Sequence, residues 1–234
     1  MLPGRSSPWS RAVFADRRAA GAELGAVVRT LPGLRDPIVL ALPRGGVPVG
    51  YEVARALGAP RDVLVVRKLG APEQEELAIG AVASGGSEYL NHELIHALRL
   101  SQVELDGVRE RERAEVQRRT ALYRGDRPWP DLAGRSVIVV DDGAATGATA
   151  LAAIAALRRH HPAEVIIAVP TGPADACQVL ETAADRVVCL RSPYPFLAIG
   201  TWYAEFAQVS DAEVRALLRD ATASEADQLA VGPS

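Results

Sequence analysis

Ser136–Thr149 reads SVIVVDDGAATGAT, and the fold turns on this stretch. Ser136–Val140 is a nearly unbroken apolar run of strand length, as expected of a strand covered on both faces. Two adjacent carboxylates, Asp141 and Asp142, end it. Gly143, Ala144 and Ala145 follow as a loop of small residues, and Thr146-Gly147-Ala148-Thr149 opens a helix predicted to reach His160. Small residues let backbone N–H groups close on an anion, and the start of a helix adds partial positive charge. The Thr146 and Thr149 hydroxyls can donate to the same anion. Asp141 and Asp142 repel phosphate, so they suit sugar hydroxyls or a divalent cation that phosphates also hold. One loop thus offers a place for a sugar and for its phosphate.

The flanking sequence repeats the alternation of apolar strand and helix. Ile38–Leu42, with a proline on each side, reads as a buried strand, and residues 47–57 as a helix with Val49, Val53 and Leu57 on one face. Val63–Val66 reads as the next strand, completing a βαβ unit and implying a parallel sheet. Downstream, strands are predicted at 164–169 and 186–190, with a helix at 173–184 between them. Upstream, Val13, Phe14, Leu24, Val27, Val28 and Leu31 recur at helical spacing, so 11–31 is predicted to be an amphipathic helix that covers the core or a second copy. Residues 67–76 read as loop, 77–90 as a hairpin about Gly85-Gly86, and 91–122 as a helical insertion rich in Arg and Glu. Ser210, with Glu213 three residues on, caps a short last helix at 210–220. The pattern predicts an α/β fold: a doubly wound, mostly parallel sheet flanked by helices. It forms a single domain over 1–222, followed by a flexible tail at 223–234. Ligands in such sheets sit at the carboxyl ends of the strands, so the loops after Leu42, Val66, Val140 and Val169 are the informative ones.

Composition narrows the function. Of 234 residues, 48% are hydrophobic and 24% charged, a globular balance that excludes wholesale disorder. Lys and Arg number 26 against 29 Asp and Glu, so the net charge of −3 argues against a nucleic-acid binder. No run approaches the roughly 20 apolar residues that span a bilayer. Two cysteines, Cys177 and Cys189, make no disulfide framework, and no export signal is evident, so a cytoplasmic location is expected.

The complete string SVIVVDDGAATGAT resembles the phosphoribosyl-diphosphate (PRPP) motif of type I phosphoribosyltransferases: an apolar strand, two acids, three small residues, Thr-Gly, one residue, Thr. LPRGGVPVGYEVA, VRKLGAP and YPFLAIGTWY bring the likeness nearest to bacterial phosphoribosyltransferases of unassigned acceptor. The resemblance implies that Asp141 and Asp142 bind the ribose hydroxyls, directly or with a metal, and that Gly143, Ala144, Ala145, Thr146, Gly147, Ala148 and Thr149 surround the 5-phosphate. Ala145 stands where many members carry an acid proposed as a base, so no general base is evident there.

Pro43-Arg44-Gly45-Gly46 is by itself a βα turn with a charged residue; beside the motif it resembles the family's pyrophosphate loop. That loop often holds a non-proline cis peptide, here expected at Arg44–Gly45 or its neighbour. Arg67 and Lys68, ordinary strand-end charges on their own, become further cations for the leaving diphosphate, Lys68 the better placed. Residues 70–90 fall where the family carries a lid, with Gly80, Gly85 and Gly86 as hinges. A small hood, expected from 191–209, would hold a flat acceptor against Trp202 or Tyr203. The implied activity is Mg2+-dependent transfer of a 5-phosphoribosyl group to a nucleobase-like nitrogen, releasing pyrophosphate, with no nucleic acid or membrane partner. A PRPP-binding regulator without strong catalysis, and a phosphosugar hydrolase, are the alternatives.

Overall fold

The computed structural model describes residues 14–219. The expected tail at 223–234 and the beginning of the helix expected at 11–31 lie outside the described residues. In chain order the elements are α1 (Arg17–Val28), β1 (Ile38–Ala41), α2 (Gly46–Leu57), β2 (Arg61–Val63), β3 (Val66–Ala71), β4 (Gln74–Ala83), β5 (Glu88–Leu90), α3 (His92–Ala97), α4 (Gln102–Arg124), β6 (Ser136–Val140), α5 (Ala148–Leu157), β7 (Glu164–Thr171), α6 (Ala174–Glu181) and β8 (Arg186–Arg191). A last helix, α7, covers 211–219. No helix among the described residues is long and apolar enough to cross a membrane.

Five strands form a parallel sheet in the order β2-β1-β6-β7-β8. Their apolar runs supply both faces. Ile38, Leu40, Val137, Val139, Val165 and Ile167 pack on one side with Ile154 and Leu157 of α5. Val39, Ile138, Val140, Ile166 and Ala168 pack on the other with Leu24 and Val28 of α1 and with Val49 and Val53 of α2. Alternate side chains of a strand point to opposite faces, so a strand with no polar member can be sandwiched by helices on both sides. This is the doubly wound sheet that the sequence predicts.

Three departures have local causes. First, α1 begins at Arg17, because Asp16 caps it: the Asp16 carboxylate accepts from the Ala19 N–H at 2.7 Å. Phe14 instead forms a β-bridge with Tyr203. Second, the run Val63–Val66 is divided between two sheets. Val63 ends β2, Val66 starts β3, and Ser84 takes up Val65 between them by a backbone bond of 2.9 Å. Third, the stretch predicted as loop at 67–76 is strand as well, so that with the hairpin expected at 77–90, present as β4 and β5, it forms an antiparallel sheet, β3-β4-β5. Leu69, Ala71, Ile79 and Val82 bury its inner face, although Arg67 and Lys68 precede Leu69 in β3 and Gly70 separates it from Ala71. Gly80 is not a hinge but an interior strand position; a Cβ there would stand 2.3 Å from the Tyr89 carbonyl. This small accessory sheet lies upstream of the aromatic segment 191–209, which has one short helical turn at Ile199–Trp202.

Candidate active site

β1 and β6 lie side by side at the centre of the sheet, Ala41 opposite Val140. From β1 the chain passes through α2 to β2 on one side; from β6 it passes through α5 to β7 on the other. The crevice at such a reversal is where open α/β sheets bind ligands. Two loops meet there, Pro43–Gly45 after β1 and Asp141–Gly147 after β6. The Leu42 N–H donates to the Val140 carbonyl at 2.8 Å. The cis peptide is Pro43–Arg44, the neighbour of Arg44–Gly45.

The loops touch through their glycines. A Cβ on Gly46 would lie 2.6 Å from the Val140 oxygen, and one on Gly45 would lie 2.0 Å from Asp142 Oδ2. Gly45 has φ −60 and ψ −35, values open to any residue, so space rather than backbone freedom demands glycine there. The Asp142 carboxylate is thus wedged against the Arg44–Gly45 backbone. Its Oδ2 accepts from Arg17 Nε at 2.8 Å, and its carbonyl accepts from the Tyr203 hydroxyl at 2.5 Å. Asp141 Oδ1 accepts from the Asp142 N–H at 2.9 Å. Burial, and then the Asp142 charge, hold the Asp141 carboxyl well above the usual carboxylate range, with Arg17 opposing them.

Asp141 and residues 143–150 line a cavity of about 160 Å³, closed by Val169 and Ile199. Gly147, at φ +74, turns the chain into α5. The Ala144 N–H donates to the Thr171 carbonyl at 2.9 Å, and the Ala148 N–H to the Thr146 hydroxyl at 3.4 Å. The Thr146 and Thr149 side chains also face a larger cleft of about 850 Å³ with Arg67 and Lys68 of β3. The structure brings these four sequence-predicted residues to one cleft. Sequence reasoning did not foresee that α4 walls the same cleft through Arg111, Glu112 and Arg118. Glu112 is buried and pairs with Arg67 at 2.8 Å and Arg111 at 3.0 Å. Burial would raise its carboxyl, but the two guanidiniums outweigh this and lower it. The stripe Leu105, Val108 and Val116 was the available signal: it marks the face of α4 turned to the core, which the cleft residues flank.

Arg44 is half-exposed and lies 3.8 Å from Asp211 of α7. Tyr123 of α4 donates to the same Asp211 oxygen at 2.7 Å, and its hydroxyl is pushed up to about 12 by burial and by that carboxylate. The aromatic pair divides. Tyr203 offers no face to a flat ligand, because its buried ring packs between Phe14 and Phe206 at centroid distances of 5.5 and 5.0 Å. This corrects the stacking expectation for Tyr203, whose hydroxyl instead braces Asp142. Trp202 stacks on Phe196 at 6.3 Å and stays partly accessible. Among the described residues no three His, Cys, Asp or Glu side chains form a metal cluster. Asp141 and Asp142 offer hard carboxylate oxygens, the donor type that Mg2+ takes together with substrate oxygens.

Comparison with known proteins places this geometry. The model of the phosphoribosyl transferase domain matches residues 27–196. Proteins from two strains of Mycobacterium tuberculosis, provisionally named as phosphoribosyl transferases, are 46% identical over 206 residues, covering 88% of this chain and 46% of each relative. The chain thus spans about half the length of these curated relatives. A crystal structure of a Thermus thermophilus protein aligns with a TM-score of 0.82 at 42% identity, covering 88% of this chain and 98% of that one.

Proposed function

The chain belongs to the phosphoribosyl transferase domain family, and on that footing we propose that its crevice transfers a 5-phosphoribosyl group from PRPP to a nitrogen nucleophile, releasing pyrophosphate. The observation that carries this reading is the contact of the two loops at the β1/β6 reversal, where Asp142 of one rests against Gly45 of the other. One loop supplies acids and amides for a phosphorylated sugar; the other brings Arg44 beside it.

In this reading the amides from Ala145 to Gly147, with Thr146 and Thr149, hold the 5-phosphate. Asp141, from within the cavity, and Asp142, from the Gly45 side, take the ribose hydroxyls. Arg44, Arg67 and Lys68 face the diphosphate. The sugar C1–O bond breaks to give an oxocarbenium-like pentose, and the cations stabilise the negative charge that grows on the departing diphosphate. Mg2+, held by Asp141 and Asp142 together with substrate oxygens, would add positive charge at the diphosphate. With Ala145 in the loop, no carboxylate acts there as a base, so the acceptor must present an already nucleophilic nitrogen. Ile199 closes the cavity and Trp202 lies three residues further on, which supports a flat, nucleobase-like acceptor on that side. We place the enzyme in the cytoplasm, acting on small molecules alone.

A panel of nucleobases and small amines, incubated with PRPP and Mg2+ and read by pyrophosphate, tests the proposal. Release that depends on an added acceptor is expected. Release without any acceptor makes the protein a hydrolase, and PRPP binding without turnover makes it a sensor; either result overturns transfer.

A further inference from the structure

We infer that Arg17, on the first turn of α1, is a positioning residue for the acid pair; the inference rests on the reading of the crevice as a PRPP site. Two adjacent carboxylates beside a polyphosphate repel one another and their ligand, so a pair that is to hold a sugar needs a fixed counter-charge. Arg17 supplies it. Its Nε donates to Asp142 Oδ2 at 2.8 Å, with 11% and 12% of the two side chains exposed. None of the loops after β1, β3 or β6 contains it, and sequence reasoning gave it no role.

The guanidinium is fixed independently of Asp142. Its Nη1 donates to the Ala207 carbonyl at 2.7 Å, and its carbon lies 3.7 Å from the centre of the Phe206 ring. Phe206 packs on Tyr203, and the Tyr203 hydroxyl donates to the Asp142 carbonyl. Arg17, Asp142, Tyr203 and Phe206 therefore close a ring that holds both the carboxylate and the backbone of Asp142. The strand-like contact of Phe14 with Tyr203 ties the entry of α1 to the same ring, through Phe14 N–H to the Trp202 carbonyl at 3.1 Å and Ala204 N–H to the Phe14 carbonyl at 2.9 Å. A site built this way is set before substrate arrives, which lowers the cost of binding. Lysine keeps the charge but not the planar fork that reaches Asp142 and Ala207 together.

The test is calorimetric titration of PRPP with Mg2+ into Arg17→Met, Arg17→Lys and Arg18→Met, with melting curves of each. Arg18 is the control: it pairs with buried Glu52 on the same turn, away from the crevice. Arg17→Met is expected to raise the Kd for PRPP at least about tenfold, and Arg17→Lys about threefold, as suits loss of a charge-assisted contact and of its fork. In steady state the PRPP KM should rise by the same factor while kcat changes less. Arg18→Met should melt earlier and bind PRPP as wild type does. Unchanged PRPP affinity in Arg17→Met overturns the inference, and so does a loss in Arg18→Met equal to that in Arg17→Met. Should Arg17→Met fail to fold, Arg17→Lys decides alone, and wild-type affinity in it overturns the inference. A wild-type chain that gives no heat with PRPP refutes the PRPP reading itself, a different result from a wild type that binds and an Arg17→Met that binds equally well.

Discussion

Gly45 shows how much one hydrogen in place of a methyl can decide. Its backbone suits alanine, so whatever Gly45→Ala costs comes from the new side chain's clash and not from the backbone. The new Cβ would stand 2.0 Å from Asp142 Oδ2, and the carboxylate would have to leave its place. Titration with PRPP should therefore show affinity down at least about tenfold, the 1.4 kcal/mol that a lost charged contact readily exceeds. Gly58 makes the opposite case. It has open space around it but a φ of +60, so Gly58→Ala should cost about 1 kcal/mol in denaturant unfolding and leave PRPP affinity alone. The cysteines offer a further test. Cys177 and Cys189 are coupled: Cys177, with Ser192 3.5 Å from the Cys189 sulfur, holds the Cys189 thiol below its ordinary value against burial, and Cys177 itself is pushed up. Because the thiolate is the nucleophile, alkylation of Cys189 by iodoacetamide should rise with pH and reach half its maximum below the pH at which an ordinary thiol does. Cys177→Ala removes the partner that favours the anion, so the midpoint should move up towards the ordinary thiol value; a midpoint that stays put in mass-spectrometric kinetics refutes the coupling.

α4 sets the boundary of what the sequence discloses. Its alternating charges read as a solvated face, and much of it is one: Glu115 pairs with Arg118 and Arg119 along the helix. What periodicity does not carry is which structure the buried stripe meets, because that depends on β3 and its pairing with β4, and β3 reads as loop from sequence. Arg67, Lys68 and Gly70 hide the strand period of Leu69 and Ala71, and the apolar run Val63–Val66 conceals a change of sheet. The strand–acid–glycine–helix string from 136 to 149 was legible for the opposite reason: its strand, loop chemistry and helix start all fall within one short segment, with no distant partner needed. The docking of α4 can be measured. Asp62 of β2 is buried and accepts from Arg124 at the end of α4 at 2.8 Å and from Arg127 at 3.2 Å. Asp62→Ala leaves the Arg124 cation buried with its anionic partner gone, and breaking a buried pair in this way costs about 3–5 kcal/mol. The urea midpoint should fall accordingly; a loss below about 1 kcal/mol would mean that water reaches Arg124 and the pair is a surface one.

The crevice joins two halves of one sheet, β1-α2-β2 on one side and β6-α5-β7-α6-β8 on the other, and neither half holds a whole site. Arg44 comes from the first half, the acid pair and the proposed phosphate cradle from the second, and Arg17 and Tyr203 brace the seam from α1 and from the segment after β8. A ligand that bridges the seam binds the folded chain and has nothing to bind in the unfolded one. At a hundred times its Kd it should therefore add about 2.7 kcal/mol to stability. For a domain of this length that is roughly a 5–10 °C rise in Tm, given about 2–4 °C per kcal/mol. Inorganic pyrophosphate with Mg2+ touches the cations but offers no ribose to the acid pair or phosphate to the cradle, so it should raise Tm by less than PRPP at equal concentration. Asp141→Asn removes the cavity's own carboxylate while keeping its shape; in that variant the margin of PRPP over pyrophosphate should shrink but not vanish. Equal Tm shifts for the two ligands in the wild type would mean that the ribose and its 5-phosphate contribute nothing, and the assignment of the 136–149 loop would fall with them.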